Sequence, residues 1–138
     1  MAPDEARRED VRAWLRKAVL DLRAAEHGMS EPEASLWSDV VFHAQQTAEK
    51  AFKAFLAWHD VPFRKTHNLE ELGRACVSID VTLGAIADRA APLTEYAWKF
   101  RYPGEPSEPS YDEAEEALKT AREVLELLTS RLQKDALL

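Results

Sequence analysis

The feature that most restricts the fold is a long segment without glycine or proline, FHAQQTAEKAFKAFLAWHD, from Phe42 to Asp60. Good helix formers dominate it and its apolar residues recur at helical spacing, so it predicts one long central helix. At about 100° per residue, its apolar side chains fall on one wide stripe and most polar ones on the opposite side. The predicted buried stripe consists of Val41, Ala44, Ala48, Ala51, Phe52 and Phe55, and the predicted exposed face of Asp39, His43, Gln46, Lys50 and Lys53.

A border strip between these two faces combines large apolar side chains with an amide and a carboxylate. Covered polar groups need hydrogen-bonding partners, so we expect a second surface to pack here, either from the same chain or from a second copy. Interface strips commonly mix apolar and polar groups, which makes this strip the candidate seam of a homodimer. It consists of Phe42, Gln45, Glu49 and Leu56.

The other segments also favour helices, and the strand signal is weak everywhere. Residues 79–91 favour a helix less clearly than the other segments do, although a short helix around Ile86 suits their apolar residues. We therefore predict an all-α, up-and-down bundle of four to five helices, folded as a single domain over residues 1–138. The further predicted helices are Asp4 to His27, ended by Gly28; Leu69 to Ser78, capped by Thr66 or Asn68; Leu93 to Phe100; and a last helix from Ser110 or Tyr111 to Leu132 with near-heptad apolar spacing.

Four sequence blocks occur in a characteristic order: WLRKAVLDLRAAE from Trp14, HAQQTAEKAFKAFL from His43, KTHNLEEL from Lys65 and WKFRYP from Trp98. Together they resemble the HEPN family of small helical domains. That family includes metal-independent ribonucleases, nucleotide-binding modules and partners of minimal nucleotidyltransferases in toxin–antitoxin arrangements. The resemblance therefore implies a helical bundle, a nucleotide or RNA as ligand, and a minimal nucleotidyltransferase as protein partner.

The ribonucleases of that family carry an Arg-x4-6-His pair, in which a guanidinium holds the scissile phosphate and an imidazole moves a proton. None of the four histidines here follows an arginine at that spacing, and no histidine comes soon after Arg101. We therefore expect an interaction module without catalysis of its own. The alternative is RNA cleavage by a departed arrangement, with Arg101 on the phosphate and His67 or Tyr102 transferring the proton.

Arg101 and Tyr102 directly follow the predicted helix Leu93 to Phe100 and open the proline-rich loop RYPGEPSEPS. An arginine can grip a phosphate bidentately and a tyrosine can stack on a base or donate its hydroxyl, so the pair is a candidate nucleotide site. The alternative is a structural corner, in which Arg101 bridges to Glu49 or Asp21 and Tyr102 packs on the last helix.

Basic side chains on the central helix and the following loop form a second candidate phosphate site. The alternative is a solvated helix face, with Thr66 and His67 capping the third helix. The candidate residues are Lys50, Lys53, Arg64, Lys65 and His67.

Charge and motif content limit the classes of ligand. The net charge of −7 disfavours broad, non-specific nucleic-acid binding. No apolar run is long enough to span a bilayer, and the charged N-terminus does not resemble a signal peptide, so we expect a cytoplasmic protein without membrane contact. Glycine-rich phosphate loops, CxxC and HExxH motifs are absent from the sequence, so we expect no cofactor and no metal.

Two reactive side chains have structural interpretations. Cys76, the single cysteine, sits at an apolar-periodic position and is expected in the core rather than as a nucleophile. Asp21 lies at the edge of the apolar stripe of the first helix. We expect it to pair with a basic residue on a neighbouring helix, the alternative being a catalytic acid.

Overall fold

The helices follow the predicted order closely. A computed structural model describes residues 3–30, 36–104 and 108–134, and over these ranges the protein is all helical, which confirms the predicted fold class. Two short 3-10 segments, Val81–Leu83 and Ala91–Ala97, flank the fourth helix. The α-helices are α1, Pro3–Ser30; α2, Trp37–Trp58; α3, Leu69–Ile79; α4, Gly84–Ala90; and α5, Tyr111–Lys134.

The first two helices run antiparallel and approach each other closely at Gly28. This residue is buried, and a Cβ built on it would lie 2.6 Å from Cγ2 of Val40 on α2. At the other end, the Arg7 guanidinium donates to the carbonyl oxygen of Trp58 at 3.3 Å. The predicted helix stop at Gly28 is wrong, since α1 continues to Ser30. The glycine is there because α2 leaves no room for a side chain.

The central helix α2 packs against α1, α3, α5 and the second 3-10 segment. Every residue of its predicted buried stripe is buried, so that prediction is confirmed. Lys53, predicted to be exposed, is a correction, because its side chain is only 9% exposed. The rings of Trp14 and Phe63 cover it, with Nζ 5.5 and 5.7 Å from their centroids. These rings come from other parts of the chain, and both are attracted to the ammonium charge.

Polar caps begin α3 and α5. The side chain of Asn68 accepts a hydrogen bond from the amide of Glu71 at 3.1 Å, and Ser110 Oγ accepts from the amide of Glu113 at 3.0 Å. Each cap satisfies an amide that has no partner within its helix. Tyr111, the first residue of the near-heptad series predicted for α5, is 44% exposed, but the rest of the series is buried as predicted: Ala114, Leu118, Ala121, Leu125, Leu128 and Leu132.

The predicted helix from Leu93 to Phe100 is instead the 3-10 segment Ala91–Ala97, with Pro92 in its first turn. The Tyr96 hydroxyl donates to Glu113 at 2.6 Å and ties this segment to α5. Burial and the neighbouring carboxylate together raise the pKa of Tyr96 well above its ordinary value. The segment is therefore anchored by its side chains rather than by a full α-helical turn.

Cys76 lies in the core between α3 and α2, as predicted, with its thiol 3.7 Å from the carbonyl oxygen of Phe52. Burial raises the pKa of this thiol to about 12, so it is protonated at neutral pH.

None of the described helices combines the length and the apolar character that crossing a bilayer requires.

Candidate functional site along α2

A buried carboxylate forms the first group of polar side chains on α2. Glu49, whose side chain is 5% exposed, accepts hydrogen bonds from Lys53 Nζ at 2.9 Å and Gln45 Nε2 at 3.2 Å. Nδ1 of His67, in the loop before α3, lies 2.7 Å from the same carboxylate. A buried charge is stable only when it is paired and hydrogen-bonded, and these partners provide both. We call Gln45, Glu49, Lys53 and His67 the Glu49 cluster.

The cluster also fixes the orientation of His67. Gln45 Nε2 donates to the backbone carbonyl of His67 at 3.0 Å, and Gln46 Nε2 donates to Gln45 Oε1 at 2.7 Å. An ionised carboxylate only accepts hydrogen bonds, so a hydrogen bond between His67 and an ionised Glu49 requires the tautomer with its proton on Nδ1. The His67 side chain is 61% exposed, which leaves Nε2 available for a ligand or a proton transfer.

A second charged group joins α1 to α2. Asp21 Oδ1 lies 2.8 Å from His43 Nδ1, and Oδ2 accepts from Lys50 Nζ. Burial pushes the pKa of Asp21 up, but the hydrogen bonds from His43 and Lys50 outweigh this effect and hold the pKa below its ordinary value. The predicted pairing of Asp21 with basic residues of a neighbouring helix is confirmed. Both carboxylate oxygens of Asp21 therefore have partners within the bundle.

The third group is an exposed corner around Arg101. Its guanidinium donates to Asp39 Oδ1 at 2.8 Å and lies over the ring of Phe42, with Cζ 4.0 Å from the centroid. The predicted bridge from Arg101 to Glu49 or Asp21 is therefore wrong, because Asp39 is the partner. Tyr102 is 66% exposed, which contradicts its predicted packing on the last helix. We call Asp39, Phe42, Arg101 and Tyr102 the Arg101 corner.

An unusual backbone conformation positions this corner. Phe100 has φ = 68°, in the left-handed region that non-glycine residues rarely adopt, at a cost on the order of 1 kcal/mol. Stacking of Phe100 on Tyr96, with centroids 6.3 Å apart, and a hydrogen bond from the Arg101 amide to the Trp98 carbonyl hold it there. The turn brings the Arg101 side chain back onto α2.

The predicted basic phosphate site is divided among separate ion pairs. Lys50 pairs with Asp21 and Lys53 with Glu49, both within the bundle. Arg64 binds Glu71 with two nitrogens at 2.8 and 3.0 Å, and Lys65 is exposed. These cations do not form one continuous basic surface. His67 faces Glu49 instead of joining them.

The predicted dimer seam lies mostly under the chain's own residues. Leu56 and Gln45 are 0% exposed and Glu49 is 4% exposed, so these three positions present no surface to a second copy. Phe42 is half-buried beneath Arg101. The sequence left open whether this strip is covered by the same chain or by a second copy. At Gln45, Glu49 and Leu56 the cover comes from the same chain.

Sequence reasoning missed Asp39 as the partner of Arg101, which lies 62 residues away. The available signal was the spacing of Asp39 and Phe42, which places a carboxylate and a ring on adjacent turns of one helix face. Within the described ranges, no three histidine, cysteine or carboxylate side chains come together where they could share a metal ion.

Comparisons with known proteins agree with this architecture. The family model described as HEPN domain matches residues 11–132. The crystal structure of TT1696 from Thermus thermophilus is similar, with a TM-score of 0.74 and 29% sequence identity over 88% of this chain and 98% of that chain. No curated protein sequence matches the chain at a significant level.

Proposed function

Since this chain belongs to the HEPN domain family, we propose that it is a binding and interaction module without catalysis of its own. In this proposal Arg101 and Tyr102 hold a nucleotide. The protein partner is a minimal nucleotidyltransferase, in an arrangement of the toxin–antitoxin type, and the module acts as a homodimer. Family membership motivates the partner, and the Arg101 corner motivates the ligand.

The observation that carries the proposal is the exposure of the Arg101–Asp39 pair, whose side chains are 35% and 55% exposed. Exposed ion pairs contribute about 0–1 kcal/mol, so a phosphate can replace Asp39 at little cost. The Lys53–Glu49 pair is 9% and 5% exposed, and breaking such a pair costs about 3–5 kcal/mol. Arg101 is therefore the better phosphate ligand of the two cations.

The surroundings of Arg101 suit the remainder of a nucleotide. Tyr102 is 66% exposed and Trp98 is 50% exposed, so both rings offer faces on which a base can stack. A guanidinium carries five donors, and its bond to Asp39 leaves others for phosphate oxygens. The corner thus offers charge and stacking side by side.

The test is a calorimetric titration of the protein with ATP in the presence of a chelator. We expect Arg101→Ala to weaken binding about tenfold or more, the effect of losing a charge-assisted hydrogen bond. Arg74→Ala is the control, since Arg74 forms an even more exposed pair with Glu70 on α3, away from the Arg101 corner. Equal affinities of wild type and Arg101→Ala would remove Arg101 from the site.

Asp39→Asn sharpens this test because it removes the competing carboxylate but keeps the side-chain shape. We expect it to increase ATP affinity severalfold, which is the scale of an exposed ion pair. A decrease would mean that Asp39 positions Arg101 for the ligand, and that the exchange described above does not occur.

The partner and the dimer need separate measurements. Light scattering should give twice the 15.6 kDa chain mass for the protein alone. Co-expression with a minimal nucleotidyltransferase from the same genome should yield a complex that survives gel filtration. Separate elution of the two proteins argues against the partner, and a monomeric mass argues against the dimer.

RNA cleavage is a second candidate function, favoured by the Glu49–His67 pair. A buried carboxylate that orients an exposed imidazole is a common arrangement for general acid–base catalysis. Arg101, however, contacts α2 at Phe42. Phe42 and Glu49 are seven residues apart, about 10 Å along the helix axis, so Arg101 and His67 contact different parts of α2. Chelator-resistant cleavage of a short RNA that His67→Ala abolishes would establish this function over the first.

A further inference from the structure

An open groove with an aliphatic floor lies between α1 and the C-terminal half of α5. Its volume is about 500 Å³, and Thr129 borders it on the α5 side. The floor is formed by Leu15, Val19 and Leu20. Leu20 is 55% exposed, although most large aliphatic side chains of the chain are buried. Exposed apolar surface in a concave site is typical of a place where a partner docks.

The charge of the groove is opposite to that of the chain. Arg12, Arg16 and Arg23 line it, and none of its described lining residues is a carboxylate. The chain as a whole has 25 acidic and 18 basic side chains. Spacings of four and seven residues place the three arginines along one side of α1, over about 16 Å of helix rise.

We infer that this groove is a docking site for an acidic amphipathic helix of a partner protein. About 16 Å corresponds to three turns of a helix, which can lay an apolar stripe on Leu20 and place carboxylates against the arginines. The inference goes beyond the proposed function, because it concerns α1 and α5 and does not involve Arg101.

The distribution of charge favours a helix over other anionic ligands. A fatty acid or lipid has one anionic group and needs cations at one end of a deep pocket, whereas these arginines extend along a groove open to solvent. A nucleic acid needs stacking surfaces or a basic molecular surface, but this floor is aliphatic and the net charge is −7. A row of carboxylates on an amphipathic helix fits both the cations and the floor.

The test uses a synthetic helical peptide with leucines on one face and glutamates spaced to match the three arginines. Fluorescence anisotropy measures its affinity for the full chain, and methyl NMR shifts of Leu15, Val19 and Leu20 locate the contact. Arg16→Glu and Arg23→Glu should each weaken binding about fivefold to tenfold, since each replaces an attraction by a repulsion. Lys17→Glu is the matched control, an exposed cation of α1 that does not line the groove.

Leu20→Asp tests the apolar floor, and circular dichroism checks that each variant stays folded. Saturable binding that shifts the groove methyls and weakens in the groove variants, but not in Lys17→Glu, supports the inference. No saturable peptide binding would overturn it, as would equal losses in Lys17→Glu and Arg16→Glu. Preferential binding of phosphatidylglycerol vesicles or of a short RNA would overturn it in favour of that ligand. The Arg101→Ala variant should bind the peptide with the affinity of the wild type. Failure of peptide docking in the groove can therefore be distinguished from failure of nucleotide binding at the Arg101 corner.

Discussion

Two ion-pair groups on α2 differ mainly in burial. The Glu49 cluster holds its carboxylate and ammonium at 5% and 9% exposure, whereas the Arg101–Asp39 pair is 35% and 55% exposed. The chemistry of the partners is similar, but the cost of separating them is not, because water solvates only the exposed pair. Burial makes the first group part of the architecture and leaves the second free to exchange a carboxylate for a ligand.

The largest effect should come from Glu49→Ala. This change leaves Lys53 buried beside Trp14 and Phe63 without its carboxylate, and it removes the bond that holds His67. We expect the free energy of unfolding to fall by about 3–5 kcal/mol, measured by urea denaturation.

Two further variants test whether the loss of stability comes from the unpaired buried charge. Glu70→Ala breaks an exposed pair on α3 and should change the free energy of unfolding little. Glu49→Leu combined with Lys53→Met should recover part of the loss, because no unpaired charge is then buried. A loss as small for Glu49→Ala as for Glu70→Ala would break the distinction between buried and exposed pairs.

Asp21→Asn should have an intermediate effect, since Asp21 has two charged or polar partners and 12% side-chain exposure. We expect a loss of about 2 kcal/mol at neutral pH, the scale of charge-assisted hydrogen bonds. The folded-state pKa of Asp21 lies below its unfolded value, so its contribution is present above that value and is lost as pH falls through the folded pKa.

Urea denaturation as a function of pH checks this sign. The gap in stability between wild type and Asp21→Asn should be constant near neutrality and shrink below about pH 4. A gap that widens on acidification would show that the His43 and Lys50 bonds do not stabilise the ionised carboxylate.

The smallest effect on stability should come from Arg101→Ala. Its exposed pair with Asp39 and its contact with the Phe42 ring should together contribute less than about 1 kcal/mol. Thermal denaturation measures this directly. A loss comparable to that of Glu49→Ala would make Arg101 a structural residue and weaken the case for ligand binding there.

Local signals predicted the helices well because those signals act over a few residues. The caps at Asn68 and Ser110 and the apolar stripe of α2 depend on neighbours within one or two turns. Gly28 shows the limit of such rules. Glycine is the residue type that commonly ends a helix, but the role of Gly28 depends on its distance to Val40 on another helix.

The candidate site was less predictable because its bonds join distant parts of the chain. Helical periodicity placed Lys53 on the exposed face, and only the approach of Trp14 and Phe63 buries it. The sequence drew attention to Arg101 and Tyr102, but the spacing of Asp39 and Phe42 could only mark a candidate pair, because contact with a residue 62 positions away depends on tertiary packing. Residue type indicated chemistry, whereas tertiary packing decided which groups are available.

The two bonds from α2 to His67 also bear on which loops tolerate a change in length. Gln45 holds the backbone of His67 and Glu49 holds its ring, so one turn of α2 fixes the end of the segment that begins after Trp58. An extra residue inserted between Phe63 and His67 would have to bulge outward or give up both bonds. This connection is therefore a poor place to graft a tag or a peptide, although it lies at the surface and contains no regular secondary structure.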